Sequence, residues 1–158
     1  MDKKSDLNYL KRKLDDESQL EKDIESLSKD ESISKLQVKD FMKTDLITAD
    51  PNSTIGEAIE LLKSNSLSGI PVVDQNNKII GIITDYDLLI QAAHNSSDQK
   101  IKYSDKLFTV HSDATLKDVL VAFYKYKLRR IPVCDAFQKL LGIVTRKDVL
   151  YAMVDKKD

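Results

Sequence analysis

From residue 37 onward the chain alternates short apolar runs with amphipathic stretches, a pattern that predicts strands alternating with helices. Residues 46–49 are predicted to form a strand. The apolar stripe that follows predicts a helix opened by Ser53 or Thr54, and Thr54 with Glu57 makes a capping-box pattern. The β-branched run 70–73 and the apolar run 79–83 enclose a polar turn, so they predict a β-hairpin.

A second helix is predicted to begin at Thr84, with Leu88, Leu89 and Ala92 on its buried face. After a polar stretch, the same order of elements returns in the second half of the chain. The predicted elements there are a strand at 107–110, a helix at 115–126, a hairpin of 131–134 with 140–144, and a last helix at 145–154.

The two halves are copies of one another. Placing 46–92 over 107–153 without a gap gives 14 identities in 47 positions, where chance would give about three. Each β-α-β-β-α unit is too small to bury its own sheet face, so the units are predicted to pack together with approximate twofold symmetry. The predicted fold class is therefore α+β with layered helices and sheets, built from repeat 1 (37–97) and repeat 2 (98–158).

Residues 1–36 form a separate N-terminal arm in which half of the residues are charged. Apolar residues keep helical spacing within two groups, but the heptad phase breaks between the groups, which predicts one or two amphipathic helices. The apolar positions are Leu7, Leu10 and Leu14 in one group and Leu20, Ile24 and Leu27 in the other. Two interpretations stay open: a helix that packs on its own domain or a sister subunit, and a partner-docking or partly disordered tail.

Composition narrows the classes of function. A net charge of −1 argues against charge-driven binding of nucleic acid, and no apolar run reaches the roughly 18 residues that a membrane span needs. The single Cys134 excludes an internal disulfide and favours a reducing cytoplasm. His94, His111 and Cys134 have no metal-ligand spacing, and the four glycines form no phosphate loop. Neither a metal site nor a catalytic site is therefore predicted.

A strand, a capped helix, an Ile-Pro-Val hairpin and a Gly-Ile-Ile/Val-Thr-x-x-Asp corner, present twice and in register, resemble a tandem pair of CBS domains (a Bateman module). The resemblance covers about residues 38–154 and leaves out the arm. It implies two sheets packed through a pseudo-twofold interface and two clefts that bind adenosine-containing ligands such as AMP, ADP, ATP, S-adenosylmethionine or NAD. It also implies a homodimer, head-to-head or head-to-tail, with a regulatory role.

The resemblance places ribose at Asp87 and Asp148, because a carboxylate can accept hydrogen bonds from two adjacent hydroxyls. Thr84 and Thr145 match the family position that reaches ribose or phosphate oxygens, next to a helix N-terminus that favours phosphate. Spacing alone favours a different role, a helix cap, because the same pattern recurs where no ligand is expected. Those further copies are Thr54/Glu57 and Thr115/Asp118. The two roles can coexist.

The repeats differ just before their Ile-Pro strands, where Arg129 and Arg130 replace Ser68 and Gly69. The resemblance assigns these arginines to nucleotide phosphate, serving a ribose held in the other repeat, whereas a helix end favoured by the dipole is the alternative. The resemblance also implies an apolar adenine slot, formed with Gly69 and Ile70 by one of two stretches: Ile47, Thr48 and Ala49, or Phe108, Thr109 and Val110. Ile82 and Ile131 are further expected ligand contacts. A place in the core is an equally good interpretation for Phe108 and Ile82.

The predicted function is a regulatory module that senses an adenine nucleotide and passes its occupancy to a partner protein. It needs no obligatory cofactor, has no enzymatic activity, and binds neither nucleic acid nor membrane. The second hypothesis is a structural or interaction dimer whose clefts are empty or degenerate. The basic run before Ile131 predicts that the two clefts differ in affinity or ligand.

Overall fold

The structure is a computed structural model that describes residues 11–12, 15, 17–23, 25–26 and 35–157. The described arm residues at 17–23 are helical, and Leu20 is partly buried while its neighbours in that stretch are exposed. The remaining apolar arm positions singled out above lie outside the described residues; they are Leu7, Leu10, Leu14, Ile24 and Leu27. Among the described residues no helix has both the length and the apolar content needed to cross a membrane.

Repeat 1 contains two helices and a hairpin in the predicted order. Its elements are α1 (Ile55–Asn65), β1 (Gly69–Val73), β2 (Ile79–Thr84) and α2 (Asp85–His94). The cap at Thr54 is confirmed, because its Oγ1 accepts a hydrogen bond of 3.1 Å from the backbone N–H of Glu57. Helix α1 ends where Ser66 adopts the left-handed conformation with φ of 52°.

Repeat 2 repeats this order after a short first strand. Its elements are β3 (Val110–His111), α3 (Leu116–Tyr126), β4 (Arg130–Cys134), β5 (Leu140–Thr145) and α4 (Arg146–Lys157). β4 pairs antiparallel with β5 and parallel with β3, whereas β1 and β2 form an antiparallel pair.

The two predicted first strands are shorter in the structure. The predicted strand 46–49 is reduced to one parallel bridge between Ala49 and Val72, and the strand predicted at 107–110 begins only at Val110. At these positions Leu46 and Leu107 pack against the cluster between the repeats. Burial between the repeats therefore replaces ladder hydrogen bonds at these positions.

Two crossing segments, 36–43 and 97–104, tie the repeats together. The first precedes repeat 1 but packs on repeat 2, where Lys43 and Ile143 exchange two backbone hydrogen bonds of 2.9 Å. The second precedes the strands of repeat 2 but packs on repeat 1, where Ser104 and Ile82 exchange bonds of 3.1 and 3.3 Å. Each repeat is thus completed by the segment that leads into the other one.

The hydrophobic core has three parts. Repeat 1 is built on residues such as Ile70 and Ile83 together with Ile101 from the second crossing segment, and repeat 2 has a matching cluster. A third cluster of Ile79, Cys134 and Leu140 lies between the repeats. Around it the hairpin turns bond reciprocally: Ile79 N–H donates to Gln138 and Leu140 N–H donates to Asn77. This pairing gives the expected pseudo-twofold interface.

The predicted buried face of α2 is right at one position and wrong at two. Leu88 is 2% exposed, but Leu89 is 66% exposed and Ala92 is also exposed. Helix α2 packs on its own sheet and on α1 along one side only, so its opposite side keeps Tyr86, Leu89 and Ile90 open. On α4 the repeat-equivalent positions of Leu89 and Ile90 are likewise open, at Leu150 and Tyr151.

Candidate functional site

Corner 1, Thr84 to Asp87, joins β2 to α2 through a reciprocal cap. The backbone N–H of Thr84 donates to Asp87 Oδ2 at 2.9 Å, and the N–H of Asp87 donates to Thr84 Oγ1 at 3.2 Å. Both side chains are partly buried. The cap occupies one carboxylate oxygen, so Asp87 can still offer its Oδ1 to a ligand hydroxyl.

Corner 2, Thr145 to Asp148, joins β5 to α4 with a different bonding pattern. Asp148 Oδ2 accepts from the backbone N–H of Thr145 at 2.8 Å and from the Thr145 hydroxyl at 2.9 Å. Asp148 Oδ1 lies 3.9 Å from Nζ of Lys43, which belongs to the first crossing segment. The side chain of Asp148 is 9% exposed. Corner 2 thus uses its hydroxyl proton and has a cation nearby.

The hydrogen bonds of corner 1 alone do not distinguish a ligand site from a helix cap. Thr115 and Asp118 form the same reciprocal box, with bonds of 3.0 and 3.1 Å, at the start of α3. Corner 1 and the Thr115/Asp118 box therefore satisfy the orphan N–H groups of a helix terminus in the same way. A ligand role for corner 1 must therefore be argued from the residues that surround it in the tertiary structure.

Arg130 crosses from repeat 2 onto corner 1. Its Nη2 donates to Ser68 Oγ at 2.5 Å, and its guanidinium lies over Gly69, where an added Cβ would come within 2.5 Å of Nη1. Ser68 in turn accepts a backbone hydrogen bond of 2.9 Å from Asp85, the first residue of α2. The structure thus brings together a guanidinium from one repeat and the helix N-terminus of the other.

The electrostatics of Arg130 follow from this position. Burial lowers the pKa of Arg130 from its ordinary value, the carboxylate of Asp85 opposes that change, and the neighbouring Arg129 adds to it. The guanidinium stays protonated at neutral pH because its ordinary pKa is so high. It is therefore a partly desolvated cation, which binds an anion more strongly than a fully hydrated one. Arg129 itself is exposed.

A cavity of about 730 Å³ adjoins Asp148, but it lies between α4 and the first crossing segment rather than beside Arg129 or Arg130. Its lining includes Phe41 and Ala152. At the equivalent place in repeat 1, Gln91 bridges the backbone of Lys102 with two hydrogen bonds of 2.8 Å. In repeat 1 the Gln91 side chain thus ties the second crossing segment to α2. In repeat 2 the equivalent residue of α4 is Ala152, which is too short to make such a tie.

The residues predicted to form the adenine slot are distributed between core and surface. Ile70 and Ile131 are 0% exposed and Ala49 is 2% exposed, so these residues belong to the core and do not line an open cleft. The partly buried ones are Ile47, Thr48, Ile82 and Phe108. Phe108 packs on Tyr126 with ring centroids 4.8 Å apart, and Ile82 packs against the cluster between the repeats.

The same two repeats are found by comparison with known protein families. A profile described as the CBS domain matches residues 38–93 and 100–155, which together are most of the chain. The chain belongs to the CBS-domain family. Its tandem CBS repeats, layered α+β fold and inter-repeat packing agree with the architecture expected from the sequence.

Known CBS proteins similar to this chain include both enzymes and separate domain pairs. An L-aspartate semialdehyde sulfurtransferase of Methanocaldococcus jannaschii is 32% identical over 120 residues, which are 76% of this chain but 24% of that enzyme. The chain therefore spans about a quarter of this relative, whose remaining length has no counterpart in the match.

Two solved CBS pairs share the fold. CBSX2 from Arabidopsis thaliana in complex with AMP has a TM-score of 0.69 and 30% identity, covering 78% of this chain and 99% of that one. The CBS pair of protein MJ0100, solved with 5′-methylthioadenosine and S-adenosyl-L-methionine, has a TM-score of 0.66 and 31% identity, covering 76% and 97%. These two CBS pairs therefore hold adenosine-containing molecules.

Two residues near the corners were missed by sequence reasoning. Lys43 approaches Asp148, and Asp85 lies beside Arg130, although neither was considered as part of a site. Comparing the two repeats could have pointed to both residues, because each differs in charge from its counterpart in the other repeat. Asp85 corresponds to Arg146, and Lys43 corresponds to Ser104. No pattern of neighbouring residues in the sequence predicts that the chain brings these two residues to the corners. In the part of the chain that the structure describes, no three His, Cys, Asp or Glu side chains form a group that could hold a metal ion.

Proposed function

We propose that this CBS pair is a regulatory module that binds an adenine nucleotide and transmits its occupancy to a partner protein without catalysing a reaction. Asp87 and Asp148 accept the ribose hydroxyls, Thr84 and Thr145 contact ribose or phosphate oxygens, and Arg130, with Arg129 beside it, binds phosphate. The ligands of the solved neighbours, AMP in one and S-adenosyl-L-methionine with 5′-methylthioadenosine in the other, support an adenosine-containing molecule.

The position of Arg130 is the observation that carries this proposal. A guanidinium from repeat 2 lies at Ser68 and Gly69 of repeat 1, beside the N-terminus of the helix that Thr84 caps. The first three backbone N–H groups of α2 already have partners, so the phosphate would be held by the dipole of the helix and by the guanidinium, which can bind two phosphate oxygens at once. A nucleotide with its ribose at Asp87 would bridge both repeats.

The two clefts are proposed to differ in affinity. At corner 2, Lys43 lies 3.9 Å from the carboxylate of Asp148, whereas the equivalent position near corner 1 is the neutral Ser104. Corner 2 also has Thr145 donating its hydroxyl proton to Asp148. Ribose must compete with these groups at corner 2, so corner 1 is the stronger ribose site.

Self-association fits the open helix faces. Leu89 on α2 and Leu150 on α4 are 66% and 57% exposed, and each lies in an apolar face with further exposed neighbours. Contiguous exposed apolar surface of this kind marks an interaction site. We propose a homodimer formed through such a face.

A ligand that bridges the repeats changes their packing at the interface of Ile79 and Leu140, which supplies a conformational signal to a partner. The cytoplasmic location stays a prediction.

Isothermal titration calorimetry and thermal unfolding with AMP, ADP, ATP and S-adenosylmethionine test the proposal. A ligand at 100 times its Kd stabilises the folded chain by about 2.7 kcal/mol, which gives a clear shift in melting temperature. Asp87→Ala is expected to weaken binding by about tenfold or more, because it removes a charged hydrogen-bond acceptor. Arg130→Gln should weaken binding of AMP more than that of adenosine, because only AMP carries a phosphate.

Asp118→Ala is the matched control. It removes the same type of capping box at α3 that Asp87→Ala removes at α2, so both variants lose a similar amount of helix stability. Only the Asp87 variant is expected to lose affinity. Equal affinities in wild type, Asp87→Ala and Asp148→Ala would contradict the ribose assignment.

A structural module with empty clefts is the second candidate. The observation in its favour is that the cleft cations already have partners, Arg130 at Ser68 and Lys43 near Asp148. This hypothesis predicts no thermal shift with any of the four ligands at millimolar concentration.

A further inference from the structure

An apolar groove lies between the two helices of repeat 2. It has a volume of about 460 Å³, which is within the range of pockets that hold small molecules. The buried side chains of Phe123 and Val149 form its floor, and Leu20 of the arm also lines it. On α4, the residues that line the groove lie on the side opposite those that line the cavity beside Asp148. The groove is therefore separate from the cavity at corner 2.

Two cations lie together at one end of this groove. Arg146 begins α4 and Lys127 directly follows α3, and both side chains line the groove. The Nε of Arg146 donates a hydrogen bond of 3.1 Å to the carbonyl oxygen of Leu128, which holds the guanidinium beside the end of α3. Neither cation forms a salt bridge with any residue that the structure describes. Since none of the described lining residues is acidic, this end of the groove attracts an anion.

The rest of the groove is lined by apolar and aromatic side chains. Leu120 on α3 and Met153 on α4 lie seven residues from Lys127 and Arg146 respectively, which corresponds to about 10 Å along each helix. An extended aliphatic chain of about eight to ten carbons covers this distance. Leu150 lies on the same side of α4 and is 57% exposed, so covering it with apolar groups is favourable. Shape and charge together fit an aliphatic chain with an anionic head group.

The equivalent groove of repeat 1 lacks the cationic end. It lies between α1 and α2, has a volume of about 400 Å³, and is apolar at most of the equivalent positions. Asp85 takes the position of Arg146, and Ser66 takes that of Lys127. The one lysine that lines it, Lys63, takes the position of Tyr124. A carboxylate at the end of the groove repels another carboxylate, so the two grooves offer similar apolar surfaces with different charge.

We propose that the α3–α4 groove binds a medium-chain fatty acid, with its carboxylate at Arg146 and Lys127 and its aliphatic chain along the apolar part. The bond to Leu128 uses only the Nε of the guanidinium, so its two terminal nitrogens can donate to both carboxylate oxygens. The α1–α2 groove is expected not to bind this ligand. The site goes beyond the nucleotide module proposed above and does not depend on it.

Titration of the full chain with sodium decanoate, followed by NMR of the backbone amides, tests the site. Amide shifts are expected in 120–127 and 146–153 and not in 59–66 and 85–92. Octanoate is expected to bind about fourfold or more weakly than decanoate, because it buries two fewer methylene groups. Decyltrimethylammonium has the same chain length and the opposite charge, and it is expected to bind about tenfold or more weakly.

Charge variants test the carboxylate position. Arg146→Asp, which copies repeat 1, is expected to weaken decanoate binding about tenfold or more, and Lys127→Ser should also weaken it. Lys147→Asp is the matched control: it makes the same charge change at an exposed residue that does not line the groove, and its Kd should stay within about threefold of the wild type. Arg146 and Lys127 are exposed as well, and the amide spectra show whether each variant is folded.

Four results would overturn the proposal. Decanoate could bind wild type and Arg146→Asp equally, shift the amides of both grooves equally, or bind no better than decyltrimethylammonium, which would mean unselective apolar adsorption. The groove amides could also shift with protein concentration but not with decanoate, which would mean that a second copy of the chain covers the groove.

Discussion

The contact between crossing segments and repeats depends on two glycines, and replacing Gly81 by alanine tests it. Gly81 is buried in β2 directly under the second crossing segment. A Cβ added there would overlap the ring of Tyr103 and lie 2.8 Å from the carbonyl oxygen of Ser104. The ring can move aside, but the carbonyl can move only by shifting the backbone of the segment.

The expected cost follows from what that shift breaks. Ile82 and Ser104 exchange two backbone hydrogen bonds, of 3.1 and 3.3 Å, and each contributes about 1 kcal/mol net. Overpacking of a close contact costs about 1–3 kcal/mol. Relaxation relieves part of the overlap when the bonds lengthen, so Gly81→Ala should lower the free energy of unfolding by about 2–4 kcal/mol.

Urea unfolding followed by circular dichroism measures the difference. Gly56→Ala is the matched control, because its added Cβ would lie 3.3 Å from the carbonyl oxygen of Ser97 and within a helix. Alanine gains up to about 1 kcal/mol over glycine inside a helix, which offsets this tight contact. The control is expected to stay within about 1 kcal/mol of the wild type.

Gly142→Ala repeats the test in the other repeat, where the Cβ would lie 2.8 Å from the carbonyl oxygen of Lys43. Both variants should therefore be destabilised. If Gly81→Ala and Gly142→Ala unfold at the same urea concentration as Gly56→Ala, the crossing segments do not pack as described.

Three further predictions concern single side chains. Thr115→Ala removes the cap of α3 and should lower the free energy of unfolding by about 1 kcal/mol in urea; nucleotide affinity should not change, and a loss would contradict its purely structural role. Ile131→Val, at a fully buried position, should cost about 0.5–1.5 kcal/mol in the same assay. Burial raises the pKa of the Cys134 thiol from 9.0 to about 11, so the unfolded chain ionises first and stability should fall between those pH values. Cys134→Ala should lose this component of the pH dependence in urea unfolding at pH 8 and 10.

Most secondary-structure elements could be predicted from the sequence because their signals are local. The cap at Thr54 and the hairpin of β1 with β2 depend on residues a few positions apart, and both were found where expected. The strand predicted at 107–110 was wrong in its bounds, since Leu107 is apolar for the interface between the repeats rather than for a sheet. Leu89 was misplaced for a related reason: helical spacing shows that a residue is apolar but not which surface covers it.

The candidate site was predictable to the level of residue types and repeat equivalence. Thr84, Asp87 and their copies were identified from identity at a 61-residue offset, which any tertiary arrangement of the two repeats would preserve. The cation that reaches corner 1 was anticipated only through a family resemblance. Its actual partners, Ser68 and the Asp85 carboxylate, are set by the packing of repeat 2 on repeat 1.

The sequence by itself therefore determined the repeat, its elements and the chemistry of each corner, because these depend on periodicity and short spacing. Tertiary structure alone decided that each crossing segment packs on the repeat that it does not lead into. It also decided that Lys43 approaches Asp148 and that Leu20 of the arm lies against repeat 2. Those contacts join residues far apart in the chain. Their energies depend on which surfaces meet, and two repeats of the same fold, with 14 identities in 47 positions, offer each segment two similar surfaces.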